Sequence, residues 1–189
     1  MYAVNLILLL CIPTHLVAGS CLTTTAIPAA PVRVERADCY LLREHNEYRK
    51  KVAMGLVDRQ PAAKNLGPLE WDETLAIAAK EWAINCDFKH ERPAKYGENL
   101  YFSTNENGDA TRAWFDEHSL FTFGPLKSGG FLHYTQMVWA DTTRLGCVKQ
   151  FCSKLRSGSR IVPNAYLTVC KYDPRGNWLE QKPYEDRTT

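Results

Sequence analysis

The chain has 189 residues, 45% of them hydrophobic, which is enough for one domain with a sizeable core. Its 23 basic and 21 acidic side chains leave a formal charge of +2, spread along the sequence. That balance argues against a surface built on bulk charge, so no nucleic-acid partner is expected.

The first element is a targeting signal. Val4 to Cys11 reads VNLILLLC, an apolar run too short to span a bilayer as a helix. Pro13 breaks it, and Ala18-Gly19-Ser20 supplies small residues for cleavage near Ser20. A membrane anchor is the competing reading, but no charged stop follows the run. The expected division is a leader over 1–20, an extension over 21–37 and a domain over 38–189, secreted and without a transmembrane segment.

Leu22 to Pro31 (LTTTAIPAAP) reads as an extended, poorly ordered lead-in. Asp38 then offers a helix N-cap. Leu41, Leu42, His45, Tyr48 and Val52 fall on one stripe at helical spacing, and Gly55 stops it. A second helix is predicted from Asp72, with Leu75, Ala76, Ala79, Trp82, Ala83 and Cys86 repeating every three or four residues. Leu100 to Phe102 reads as a short strand, and Asp109 to His118 as a short helix.

Ser119 to Phe131 is a loop, with Gly124, Pro125, Gly129 and Gly130. After it, His133 to Ala140 (HYTQMVWA), Leu145 to Phe151 and Ala165 to Tyr172 are rich in aromatic and β-branched residues. They are predicted as antiparallel strands. Helices first and strands last imply an α+β fold.

Cysteine usage agrees with secretion. Cys11 leaves with the leader, and Cys21, Cys39, Cys86, Cys147, Cys152 and Cys170 remain, an even number that fits three disulfides. Spacing alone does not choose the pairs. No C-x-x-C and no N-x-S/T occurs, so neither a cysteine zinc site nor N-glycosylation is expected.

Common catalytic signatures are absent: there is no G-x-S-x-G, no phosphate loop and no H-E-x-x-H. His90-Glu91 begins the last pattern, but Ala94 stands where the second histidine belongs and Pro93 breaks the helix it needs. Ser103 and Ser119 sit in no activating context.

Four stretches carry a family resemblance. They are His45-Asn46-Glu47-Tyr48-Arg49 (H-N-x-x-R), Gly97-Glu98-Asn99-Leu100 (G-E-N-L), His133 to Trp139 (H-Y-T-Q-M-V-W), and Cys170 to Asn177 (C-x-Y-x-P-x-G-N). In this order they resemble the CAP superfamily of cysteine-rich secretory proteins, venom antigen 5 and plant pathogenesis-related 1. The venom allergen-like proteins are the nearest in flavour. Leu132, Thr168 and Lys171 depart from the family's usual choices.

The resemblance implies an α-β-α sandwich, with an antiparallel sheet between helical layers. It implies a central cleft that gathers His90, Glu98, Glu117 and His133. It also implies the disulfides Cys86–Cys152 and Cys147–Cys170, which leaves Cys21 with Cys39. Two imidazoles beside two carboxylates support three readings. They can hold zinc or another divalent cation through His90 and His133, move protons, or form a self-satisfied polar network. No cofactor is required by any motif.

The loop at Phe121 and Phe123 resembles the family's caveolin-binding type motif, with Phe131 substituting where Ser128 breaks the spacing. That resemblance implies sterol binding. Flat rings can cover a flat apolar ligand, with burial contributing about 25 cal/mol per Å². The same phenylalanines can equally pack beneath the loop. A fatty acid between the first helix and the segment from Asp109 to His118 is implied in the same way. The expected function is therefore a secreted lipid-binding protein, not an enzyme. A host- or cell-surface protein as partner and a hydrolase using the cleft are the alternatives. His45, Asn46 and Arg49 read as a buried brace, and Trp71, Trp82, Trp139 and Trp178 as core aromatics.

Overall fold

The computed structural model describes residues 22–27, 30–35 and 39–187. The leader, Cys21 and Asp38 lie outside the described residues. The lead-in is extended, and it is paired rather than loose: β1 (Leu22–Ile27) and β2 (Ala30–Glu35) form an antiparallel ladder. The Thr23–Thr25 run and the valines at 32 and 34 favour extended backbone.

Helix α1 (Cys39–Ala53) buries Leu41, His45, Arg49 and Val52. Gly55, at φ +69°, ends it in the left-handed conformation that glycine adopts without penalty. A two-residue strand, β3 (Glu70–Trp71), precedes α2 (Glu73–Ala83). Asp72 caps α2 by accepting the Leu75 N–H at 3.1 Å. Strand β4 (Gly97–Ser103) and helix α3 (Ala110–Asp116) follow, and α3 tightens into a 3-10 turn over Glu117–Leu120.

The segment from His133, predicted as a strand, is instead helix α4 (Leu132–Met137). Its aromatic and β-branched content reflects burial, not extension: Tyr134, Thr135, Gln136 and Met137 are all buried. Strands β5 (Arg144–Ser157) and β6 (Arg160–Asp173) then form a long hairpin.

The main sheet has the order β3-β5-β6-β4. It is antiparallel except at its edge, where the short β3 runs parallel to β5. Helix α2 covers one face, through Ala79 and Ala83 against Leu100, Leu167 and Val169. Gly146 permits the close approach, since a Cβ there would stand 2.1 Å from the Ala76 nitrogen. Helices α1, α3 and α4 cover the other face, over Leu145, Cys147, Cys170 and Tyr172. The result is the expected α-β-α sandwich.

One disulfide ties a helical layer to the sheet and another lies within the sheet. Cys86–Cys152 links the end of α2 to β5, and Cys147–Cys170 joins directly opposed residues of β5 and β6. Cys39 is also disulfide-bonded.

The brace reading matches the contacts. The Arg49 guanidinium, 2% exposed, donates to the carbonyls of Gly67, Met137, Trp139 and Thr142. Asn46 exchanges two hydrogen bonds with the Leu69 backbone. Trp178 corrects the core assignment. It is 46% exposed, with the Arg175 guanidinium 4.6 Å over its ring.

Candidate functional site: a cleft with two histidine–carboxylate arms

A cleft of about 540 Å³ opens between the start of β4, the start of α4 and the segment after β6. His90, Glu98, Glu117 and His133 all line it. They come from four separate elements, so the fold and not local sequence brings them together.

The first arm begins on the loop after α2. His90 Nδ1 lies 2.7 Å from Glu98 Oε1, and the same oxygen accepts the Glu91 N–H at 3.1 Å. Beneath them, Lys171 on β6 donates to Glu98 Oε2 and to Glu91 Oε2, both at 2.6 Å. Lys171 stands directly opposite Glu98 in the β4–β6 register. Burial pushes the Glu98 carboxyl up, but the hydrogen bonds from His90 and Lys171 and the Lys171 charge outweigh it. The group is held below the usual carboxylate range.

The second arm uses the backbone. His133 Nδ1 lies 2.7 Å from Glu117 Oε1. Glu117 Oε2 accepts the N–H groups of His133 and Tyr134, the opening amides of α4. Behind it runs a buried neutral chain. Asn99 Nδ2 donates to the His133 carbonyl and to the Tyr172 hydroxyl, both at 3.0 Å, and that hydroxyl lies 2.7 Å from His45 Nε2. Burial pulls His45 down to about 4, and it pushes the Tyr172 hydroxyl well up.

Ionised carboxylates only accept, so each histidine donates from Nδ1 and, when neutral, keeps a lone pair on Nε2. That is the orientation in which an imidazole ligates a metal. The donor set therefore fits a divalent cation held by two imidazole nitrogens, with water completing the shell. It does not fit a closed protein cage: among the described residues, no three His, Cys, Asp or Glu side chains are gathered around one point.

Lys171, Glu91, Gln136 and Asn177 belong to this site and were not assigned to it from sequence. Gln136 accepts the Gly176 N–H at 3.0 Å, and Asn177 joins the Leu132 carbonyl to the Thr135 hydroxyl. The G-N of the Cys170 motif was the available signal for the last contacts, and the departure at Lys171 was the signal for the first.

The phenylalanines of the loop come together. Phe121 lies 6.4 Å from Phe123 and 5.1 Å from Phe131, centroid to centroid. Phe121 is buried, whereas Phe123 and Phe131 are half-buried. Leu120 beside them is 63% exposed. Between α1 and α3, Tyr48 stacks on Phe115 with centroids 4.0 Å apart, and Thr111 donates to Glu44. The two helices thus meet directly.

The sequence profile of the cysteine-rich secretory protein family matches residues 42–172. Venom allergen 5 of Dolichovespula arenaria is 36% identical over 170 residues, 77% of this chain and 78% of that protein. Human cysteine-rich secretory protein 3 is 33% identical over 174 residues, 85% of this chain and 64% of that protein. Mouse peptidase inhibitor 16 is 36% identical over 153 residues, 76% of this chain but 28% of that protein. The chain thus spans less than two thirds of these last two relatives.

Among solved structures, venom allergen-like protein 4 of Schistosoma mansoni superposes with a TM-score of 0.67. It is 29% identical and covers 82% of this chain and 97% of that one. NaASP2, solved with Zn2+, also has a TM-score of 0.67. It is 32% identical and covers 77% of this chain and 83% of that one. By profile, fold and likeness together, this chain belongs to the cysteine-rich secretory protein family of the CAP superfamily and is venom allergen-like.

Proposed function

We propose that this is a secreted lipid-binding protein that carries or sequesters a sterol on the loop from Ser119 to Phe131. The observation that carries the reading is the single cluster of Phe121, Phe123 and Phe131. Phe121 forms its buried floor, and Phe123 and Phe131 keep ring surface toward solvent. Two half-buried rings on a glycine-flanked loop suit a flat apolar ligand. A fatty acid between α1 and α3 requires the Tyr48–Phe115 stack to part, so it is the weaker half of the reading.

Residues 1–20 are read as the leader, 21–37 as the extension and 38–189 as the domain. The disulfides support an oxidising, extracellular destination. We read the cleft as non-enzymatic. Ser119 donates to the Asp116 carbonyl and Ser103 accepts the Asn105 N–H, so neither hydroxyl is poised on an imidazole. Relatives named as a venom allergen and a peptidase inhibitor keep a protein partner as the alternative.

The test is saturable binding of labelled cholesterol and labelled palmitate to lipid-stripped protein. Cholesterol is expected to bind, and Phe131→Ser to weaken it. Losing on the order of 100 Å² of apolar contact corresponds to about 2–3 kcal/mol. Absence of saturable cholesterol binding defeats the reading. A second reading concerns the cleft: with both Nδ1 atoms on carboxylates, the Nε2 atoms of His90 and His133 are a candidate cation-binding pair.

A further inference from the structure

Both histidines hold a carboxylate in the same way, yet only one carboxylate has a permanent cation behind it. The Lys171 side chain is 2% exposed, and its Nζ is 2.6 Å from both Glu98 and Glu91. It also lines the cleft wall. An ammonium at that depth is fixed in place by its two acids and is poorly screened by salt.

The carboxylate behind a ligating imidazole strengthens a metal site by raising the ring's basicity and offsetting the ion's charge. Glu117 is free to do this, because its other contacts are neutral amides. Glu98 is less free to do so, because Lys171 offsets one of the two negative charges that it and Glu91 carry. Arg92 and Arg175 add further positive charge at the rim.

We propose that Lys171 is a built-in cation that weakens divalent-cation binding in this cleft by offsetting one of the two carboxylate charges behind His90. This rests on the reading of the two Nε2 atoms as a cation-binding pair, and it assigns the residue that limits that pair. Inside a partly enclosed cleft the effective dielectric lies well below that of water, so one unit charge shifts a divalent ion's affinity by about tenfold or more.

The test is zinc titration by isothermal calorimetry on the full chain. Lys171→Met is expected to tighten zinc binding about tenfold or more, and Lys171→Arg to leave it near wild type. Glu91→Gln removes one negative charge and keeps the lysine, so it is expected to weaken zinc several-fold. His90→Ala is expected to remove binding in every background.

If Lys171→Met does not fold, the double change Lys171→Met with Glu91→Gln decides, because it strands one carboxylate fewer: it is expected to bind zinc more tightly than Glu91→Gln alone, and equal affinity overturns the lysine's role. Zinc binding that vanishes in His90→Ala but ignores the changes at 171 and 91 overturns the lysine's role and leaves the histidine pair standing. No zinc binding in any variant, or binding that survives His90→Ala, overturns the pair and this proposal with it.

Discussion

The two arms of the cleft present the same atoms to a ligand and are held by opposite means. Behind His90 stands a charged lock, in which Lys171 is clamped between Glu98 and Glu91. Behind His133 stands a neutral lock, in which Glu117 rests on two amides and the backbone is tied through Asn99 and Tyr172 to His45. A buried charge network is costly to leave half-made, because one missing partner strands the others out of water. A neutral network loses only individual hydrogen bonds. The arms should therefore fail differently.

The largest difference is expected at the lysine. Lys171→Ala strands the buried Glu98 carboxylate and is expected to cost about 3–5 kcal/mol in urea unfolding. A loss under about 1 kcal/mol would erase the distinction between the arms.

Acid should separate the locks by window. His45 has a folded pKa of about 4, below its ordinary value of 6.5, so the unfolded chain binds its proton first. Stability is expected to fall as pH drops from 6.5 towards 4, by about 3 kcal/mol in total, and His45→Gln should flatten that slope. Glu98 is also depressed, so its contribution is present above the ordinary carboxylate value of 4.5 and is lost only as pH falls below it. Stability that stays flat from pH 6.5 to 5 would contradict the buried neutral His45.

Tyr172→Phe removes one hydroxyl from the neutral chain and is expected to cost about 1–3 kcal/mol. It should shift the His133 ring resonances and leave those of His90 in place. Equal shifts on both rings would mean that the arms are not independently held. The smallest effect is expected at Glu117→Gln, about 1 kcal/mol by urea unfolding, since the amide oxygen can still accept the two N–H groups.

Much of this was legible in the sequence. The stripe from Leu41 to Val52, the cap at Asp72 and the alanine ridge of α2 rest on local periodicity, which the fold respects. The four cleft residues were reached through motifs, not through spacing. Helix α4 was misread because Tyr134, Val138 and Trp139 have strand-like composition. The packing of Tyr134 against Phe115 of α3, with the opening amides satisfied by Glu117, decides otherwise. Lys171 was seen only as an odd residue. Its partner across the ladder follows from the β4–β6 register, which no local pattern reveals. Trp178 reads as core by residue type, but it has a cation over its face and about half its surface in water.

The most direct test of the two-armed cleft is long-range nitrogen–proton NMR of the imidazoles at mildly alkaline pH. His90 and His133 are both expected as the Nδ1–H tautomer, each with a lone pair on Nε2. An Nε2–H tautomer on either ring would contradict the carboxylate contacts on which the whole site is built.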